Sequence, residues 1–247
     1  MGTNFLDSVP KIIGHRGACG LAPENTLASF DAAAKSGAKS VEIDVMTTKD
    51  EQCVICHDTG LKRCTDGEGQ VLLKTLEEIQ ALDAGSWFDA SYSDQKIPTL
   101  SQALTSIQGN GMSVNLEIKP TVGWQVPTAQ IIGKELKSTL SANLPVLLSS
   151  FNIEALTTIG ELLPNLPRGY LSDVIPHNWE VRLAKARAAS LHCYKDYVTE
   201  DAVKAVQDAG YKFLVFTVND PDHARQLLSW NVDAIITDFP DRMQGLA

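Results

Sequence analysis

No stretch of this chain is apolar for long enough to cross a bilayer. No low-complexity segment and no linker rich in Pro, Gly or Ser divides it. Positive charge is scarce, with 21 Lys and Arg against 30 Asp and Glu and a net charge of −9. Nucleic acid and anionic membrane surfaces both reward clustered Lys and Arg, so neither is expected as a partner. A small anionic substrate remains open if a local cation meets it, and a metal ion is the obvious candidate. Residues 1–11 lack a basic patch followed by an apolar run, so no signal peptide is expected. Gly2 follows Met1, but Leu6 stands where a myristoylation motif needs Ser or Thr. Cys19, Cys53, Cys56, Cys64 and Cys193 are odd in number and scattered. They suit free thiols in a reducing cytosol better than a disulfide framework. Cys53 and Cys56 form a CxxC, but no second pair and no helix start follows, so they read as structural. A cytoplasmic protein is the expectation; its oligomeric state is not legible.

What is present is alternation. Short β-rich runs at 11–15, 40–45, 52–56, 113–118, 146–149, 168–171, 190–193, 212–218 and 233–237 are separated mostly by amphipathic helical stretches. Leu27, Phe30, Ala33 and Ala34 have the spacing of one helix face, and Gly37 stops that helix. A helix over 201–209 ends at Gly210, and one over 221–230 opens on a proline suited to a first turn. Strands alternating with helices imply a parallel sheet covered by helices, and runs such as Ala234-Ile235-Ile236 suit burial on both faces. The 247 residues match one α/β barrel of the TIM type. Nine runs exceed the eight that a closed barrel needs. Only six residues separate Val45 from the run at 52–56, too few for a crossover helix, so that run is expected to form a hairpin above the rim. An open doubly wound sheet is the alternative, but the Gly fingerprint expected there is missing. Residues 58–98 are polar and glycine-punctuated, with one short helix over 75–82 and an aromatic group, Trp87, Phe88 and Tyr92. A segment this long without a matching strand reads as an inserted cap that selects substrate, with those aromatics walling a pocket. The expected organisation is therefore one barrel over 1–247 with an insertion at 58–98.

In such barrels the reactive groups sit at the carboxyl ends of strands. Those ends carry His15-Arg16-Gly17, Glu42-Ile43-Asp44, His57-Asp58 and Glu117-Ile118-Lys119. Glu42 and Asp44 are two apart on a strand and share a face. Carboxylates gathered inside a barrel repel unless a cation joins them. With Glu117 they offer three hard oxygen donors, a set for Mg²⁺ or Ca²⁺, with Mn²⁺ as a further candidate. A rim salt bridge to Lys119 is the bland reading of any one acid, but it does not serve three. His15 and His57 can act as general acid and base. Arg16 and Lys119 can neutralise an anionic oxygen. Two histidines, a metal and two cations around one mouth describe phosphoryl chemistry. His192, also at a strand end, is a candidate substrate contact, while His177 and His223 read as solvated.

These residues resemble a known family. His15-Arg16-Gly17, Pro23-Glu24-Asn25-Thr26, Glu42-x-Asp44-Val45, Thr48-Lys49-Asp50 and His57-Asp58 are similar to the signature of the glycerophosphodiester phosphodiesterases. The likeness continues through Leu82-Asp83-Ala84-Gly85-Ser86-Trp87, Ile97-Pro98-Thr99-Leu100, Glu117-Ile118-Lys119-Pro120, Leu148-Ser149-Ser150-Phe151, Thr217-Val218-Asn219 and Thr237-Asp238, and so spans essentially the whole chain. It implies a β/α barrel of the soluble cytosolic bacterial type. Such an enzyme hydrolyses glycerophosphodiesters such as glycerophosphocholine to sn-glycerol 3-phosphate and an alcohol. By the same resemblance Glu42, Asp44 and Glu117 hold the divalent cation, and His15 and His57 are the acid–base pair. Arg16 and Lys119 hold phosphate, and Asn25 braces the first loop. Phe216 departs from the Trp or Tyr of many relatives and would keep a weaker aromatic contact with glycerol. The nucleophile, the substrate's own 2-hydroxyl or water, stays open, as do the division of acid and base, the preferred head group and the native metal. A glycosidase would leave the histidines, Arg16 and Lys119 without work. A barrel that only binds phosphorylated ligands would not depend on either histidine, and fold alone cannot choose.

Overall fold

The computed structural model describes residues 5–246; Gly2 and its neighbours at 1–4 lie outside the described residues. Eight parallel strands close a barrel: β1 (Ile12–Gly14), β2 (Ser40–Thr47), β4 (Ser113–Ile118), β5 (Val146–Ser150), β6 (Arg168–Ser172), β7 (Ser190–Tyr194), β8 (Lys212–Phe216) and β9 (Ala234–Thr237). The seam joins β1 to β9, with Gly14 opposite Thr237, and β1 to β2, with Gly14 opposite Val41. The ninth strand, β3 (Cys53–Ile55), runs antiparallel to β2, with Val45 opposite Ile55. It is the hairpin that the short connection anticipated. β2 runs to Thr47, past the expected end at 45, because its last residues pair with β3.

The helices begin where local chemistry satisfies their free N–H groups. Thr26 caps α1 (Leu27–Lys35), and the Ser29 side chain answers it in a capping box. Thr75 does the same for α2 (Leu76–Gln80), and Thr99 for α3 (Leu100–Gly109). The remaining helices are α4 (Gln125–Thr139), α5 (Ile153–Leu162), α6 (Trp179–Ala186), α7 (Glu200–Asp208) and α8 (Pro221–Ser229). Among the described residues no full helix follows β9. A single 3-10 turn, Pro240–Met243, covers that position. No helix of the described residues is long and apolar enough to cross a membrane.

Strand alternation sorts the core. Outward residues such as Val41, Ile43, Val114 and Leu116 pack with Phe30, Leu104, Ile107 and Ile132 in one buried cluster. Inward residues Ile13, Leu147, Leu214, Ala234 and Ile236 meet Phe5, whose short helical turn plugs the amino-terminal end. Most other inward positions, among them Glu42, Asp44, Asn115, Glu117, Ser149 and His192, are polar, and Leu171 and Phe216 join the upper ones at the mouth.

Residues 58–98 carry an apolar cluster of their own. Leu61, Val71, Ile79, Ala84 and Ile97 close on Met46 and Val54 of the β2–β3 hairpin. The aromatic group takes a different place from the one expected. Trp87, Phe88 and Tyr92 pack edge to face on one another, with ring centroids 5.7 and 5.8 Å apart. Tyr92 donates its hydroxyl to the carbonyl of Leu21 at 3.3 Å, and none of the three lines the cavities at the barrel mouth. The reason is that their own edges and a backbone carbonyl satisfy them.

Candidate active site

The carboxyl ends of β1, β2, β4, β7 and β8 surround a cavity of about 270 Å³. His15, Arg16, Glu42, His57, Glu117, Lys119 and Phe216 all line it, so eight of the nine expected site residues are brought together once Asp44 beneath them is included. Glu42, Asp44 and Glu117 each direct a carboxylate oxygen to within 4.8 Å of the other two. The strand register accounts for this, since Asp44 stands opposite Glu117 on the neighbouring strand.

The three acids do not behave alike. Burial first, then the charges of Asp44 and Glu117, push the Glu42 carboxyl well above its usual range. Burial and Asp44 push Glu117 up to about 7 against the pull of Lys119. Asp44 is lowered instead. Burial opposes that, but Lys119, Arg16 and His57 together with a hydrogen bond from Asn25 outweigh it. Asn25 Nδ2 donates to Asp44 Oδ2 at 2.9 Å, and Asn25 Oδ1 accepts from the Asp44 N–H at 3.3 Å. The Asn25 side chain thus braces Asp44. Lys119 Nζ lies 3.0 Å from Glu117 Oε1 and 3.6 Å from Asp44 Oδ1. Lys119 thus meets Glu117 Oε1, whereas buried Glu42 Oε1 has neither a hydrogen-bond partner nor an ion pair. A buried carboxylate oxygen without a donor, in an all-oxygen set of three acids, fits a hard divalent cation.

Each histidine is held from behind by a carboxylate. His15 Nδ1 lies 2.5 Å from Asp238 Oδ1, and His57 Nδ1 lies 2.6 Å from Asp58 Oδ1. A carboxylate only accepts, so Nδ1 carries the proton in both and Nε2 is left for the mouth. His15 Nε2 is 3.9 Å from Glu42 Oε2. Asp238 and Asp58 are both held ionised. Burial opposes this for Asp238, but hydrogen bonds from His15, Cys19 and Asn219 prevail. Hydrogen bonds from Arg63 and His57 do the same for Asp58. Burial, with the Arg16 and Lys119 charges, pushes the His57 imidazole below its usual value, although Asp44 and Asp58 pull the other way.

A second line of charges frames the rim. Arg16 donates to Glu24 Oε1 at 2.7 Å and holds Nε 3.5 Å from Asp44 Oδ2. Arg63 binds both oxygens of Glu24 with its terminal nitrogens, at 2.7 Å to Oε2 and 2.8 Å to the Oε1 that Arg16 shares, and reaches Asp58 Oδ2 with Nε at 2.5 Å. His57, Asp58, Arg63, Glu24, Arg16 and Asp44 therefore form one connected chain. Phe216 meets Phe151 at 5.8 Å and Tyr194 at 6.2 Å between ring centroids, giving the mouth an aromatic wall.

His192 is the expected site residue that does not reach the cavity. It faces inward, but it is fully buried within the barrel with Nε2 2.9 Å from Ser190 Oγ. His177 is exposed in the loop before α6, and all five cysteines are unpaired. Asp238, Asp58, Glu24 and Arg63 were not read as site residues. Asp238 had a usable signal, since it directly follows the last residue of a barrel strand. Asp58 follows His57 in sequence. Arg63 carried no signal, because neither a strand end nor a periodic pattern marks it.

Comparison with known proteins gives one answer. Residues 15–242 match the model of the glycerophosphoryl diester phosphodiesterase family. A glycerophosphodiester phosphodiesterase of Caldanaerobacter subterraneus subsp. tengcongensis is 34% identical over 238 residues, which is 95% of this chain and 96% of its own length. One from Bacillus subtilis is 30% identical over 245 residues, or 93% and 83% of the two lengths. Among solved structures, an Oleispira antarctica phosphodiesterase in complex with the product sn-glycerol-3-phosphate superposes with a TM-score of 0.96, at 40% identity and over 99% of both chains.

Proposed function

Because the chain belongs to the glycerophosphoryl diester phosphodiesterase family and is an enzyme of that class, we propose that it hydrolyses glycerophosphodiesters such as glycerophosphocholine. The products are sn-glycerol 3-phosphate and an alcohol. One observation carries the reading: two histidines, each held through Nδ1 by its own carboxylate, flank a buried carboxylate triad at a barrel mouth. The product held by the Oleispira antarctica relative supports the substrate class.

Glu42, Asp44 and Glu117 hold a divalent cation, Mg²⁺ or Ca²⁺ with Mn²⁺ as a further candidate. When bound, such an ion offsets phosphate charge as a Lewis acid. The protein's own groups do the rest. Arg16 and Lys119 draw the phosphate oxygens into the cavity. Asp238 and Asp58 fix Nδ1 of each ring, which leaves both Nε2 atoms for the cavity. One imidazole, neutral, takes the proton of the attacking hydroxyl on Nε2, and the other, as the imidazolium, gives its Nε2 proton to the departing alcohol oxygen. Phe216, Phe151 and Tyr194 wall the glycerol side. An adjoining cavity of about 290 Å³ shares His57, Glu117, Lys119 and Phe151 and opens past Val122, with room for the head group. The chain works as one barrel, with residues 58–98 as its cap.

The test is incubation with glycerophosphocholine, with and without EDTA, coupled to detection of sn-glycerol 3-phosphate. Product should form, stop with EDTA and resume on adding back Mg²⁺, Ca²⁺ or Mn²⁺. Undiminished hydrolysis by stripped protein rejects the cation, and no product from any glycerophosphodiester rejects the substrate.

A further inference from the structure

We propose that His15, Cys19 and Asp238 form a second cation site, selective for a thiophilic divalent ion such as Zn²⁺, that inhibits the enzyme when filled. The donor atoms are already neighbours, joined by hydrogen bonds whose protons an ion would replace, and around a tetrahedral ion they would settle roughly 3.3–3.6 Å from one another. Asp238 Oδ1 lies 2.5 Å from His15 Nδ1 and 2.9 Å from Cys19 Sγ, and the sulfur is 3.7 Å from that nitrogen.

The backbone builds this convergence. The Cys19 N–H donates to the His15 carbonyl at 3.3 Å, so one helical turn sets the two side chains together. The Gly20 N–H donates to the Asp238 carbonyl at 3.0 Å and ties the loop to the end of β9. Asn219 Nδ2 donates to Asp238 Oδ2 at 2.6 Å and fixes the carboxylate from behind. All three ligand residues are only partly buried, so an ion in solution has access.

The donor set differs in kind from the triad. Nitrogen, sulfur and oxygen together suit Zn²⁺, whereas three carboxylates suit harder ions. The two sites therefore sort cations by ligand chemistry. Without an ion the thiol stays protonated, because burial and the Asp238 charge raise its pKa. Binding releases that one proton to solvent and forms a thiolate–metal bond. The imidazole binds through Nδ1, so its proton moves from Nδ1 to Nε2. His15 then has no lone pair facing the mouth and cannot accept a proton there. Ion binding rests on the donor set alone; the inhibition rests on the proposed role of His15.

Co²⁺ serves as a visible substitute for Zn²⁺. Titrating the whole protein, saturated with Mg²⁺ and free of substrate, should produce a thiolate-to-cobalt charge-transfer band that reaches its limit at one ion per chain. Cys19→Ser and Cys19→Ala should lack the band. Zn²⁺ added over excess Mg²⁺ should lower wild-type hydrolysis about 100-fold at saturation, the order of a lost acid–base group, and should leave both variants near their Zn²⁺-free rates. No band in the wild type, or a band that persists in the variants, overturns the site. Equal inhibition of wild type and variants overturns its regulatory effect. The band needs no substrate, so it would survive a failure of the proposed activity.

Discussion

Asp238 accepts from His15 and Cys19 on one oxygen and from Asn219 on the other. That arrangement selects one tautomer of His15, and an amide cannot replace it, since half of its polar atoms donate. Asp238→Asn should lower kcat by about 100- to 10,000-fold, the span of a misplaced acid–base group. KM and the melting temperature should move little. Steady-state kinetics with glycerophosphocholine check this, and an unchanged kcat would show that the pair is only structural. His192 makes a prediction of a different kind. Burial pushes its imidazole down to about 3, so it stays neutral in the native protein. Between about 6.5 and 3 the unfolded chain binds a proton that the native chain does not, so stability falls as pH falls through that window. The loss is at most on the order of 5 kcal/mol by the low end. Denaturant unfolding at pH 7, 6, 5 and 4 should therefore give a shallower decline for His192→Gln than for the wild type. Parallel declines would remove His192 from the account.

The β2–β3 hairpin is the element that carries His57 out over the mouth. The segment after it returns Arg63 to clamp Asp58 and Glu24 together. The guanidinium does this with a planar fork, which an ammonium cannot reproduce across two carboxylates. Arg63→Met should reduce kcat about 10- to 100-fold, as loss of an orienting partner commonly does, with Arg63→Lys recovering only part of it. Cation affinity, read by calorimetry, should stay the same because Arg63 does not touch the triad. If neither variant lowers kcat, the clamp only stiffens the loop. The hairpin was legible from loop length alone, since six residues cannot hold a crossover helix. The route of residues 58–98 was not, because their folding depends on a small cluster against Met46 and Val54 that no local periodicity announces.

At the scale of the whole barrel, the triad sets function against stability. Three carboxylates at one end of a closed barrel repel, and burial magnifies the cost. A cation that binds only the folded form should raise the melting temperature with its concentration. Glu42→Gln removes the carboxyl that burial and its acidic neighbours hold well above its usual range, a cost to the fold above the unfolded-state value. The metal-free variant should melt higher than the metal-free wild type, gain less on adding Mg²⁺ or Ca²⁺, and turn over more slowly. Thermal melts with EDTA and with added cation check all three together. A variant that melts lower than the wild type without metal would show that repulsion is not the dominant force there.

The sequence alone was enough to determine the alternation of strands and helices and the hairpin. It also determined that Glu42 and Asp44 share one strand face and that His15, His57 and Glu117 lie at strand ends, because these follow from side-chain period and connection length, which are local properties. The tertiary structure alone decided which groups act on which. Closure of β9 against β1 brings Asp238 to His15 across 223 positions of sequence. Period tells which face of a strand a residue occupies but not how deep it lies along the barrel axis. That depth follows from the stagger of neighbouring strands, and it puts His192 in the core while Tyr194, two residues on, lines the mouth.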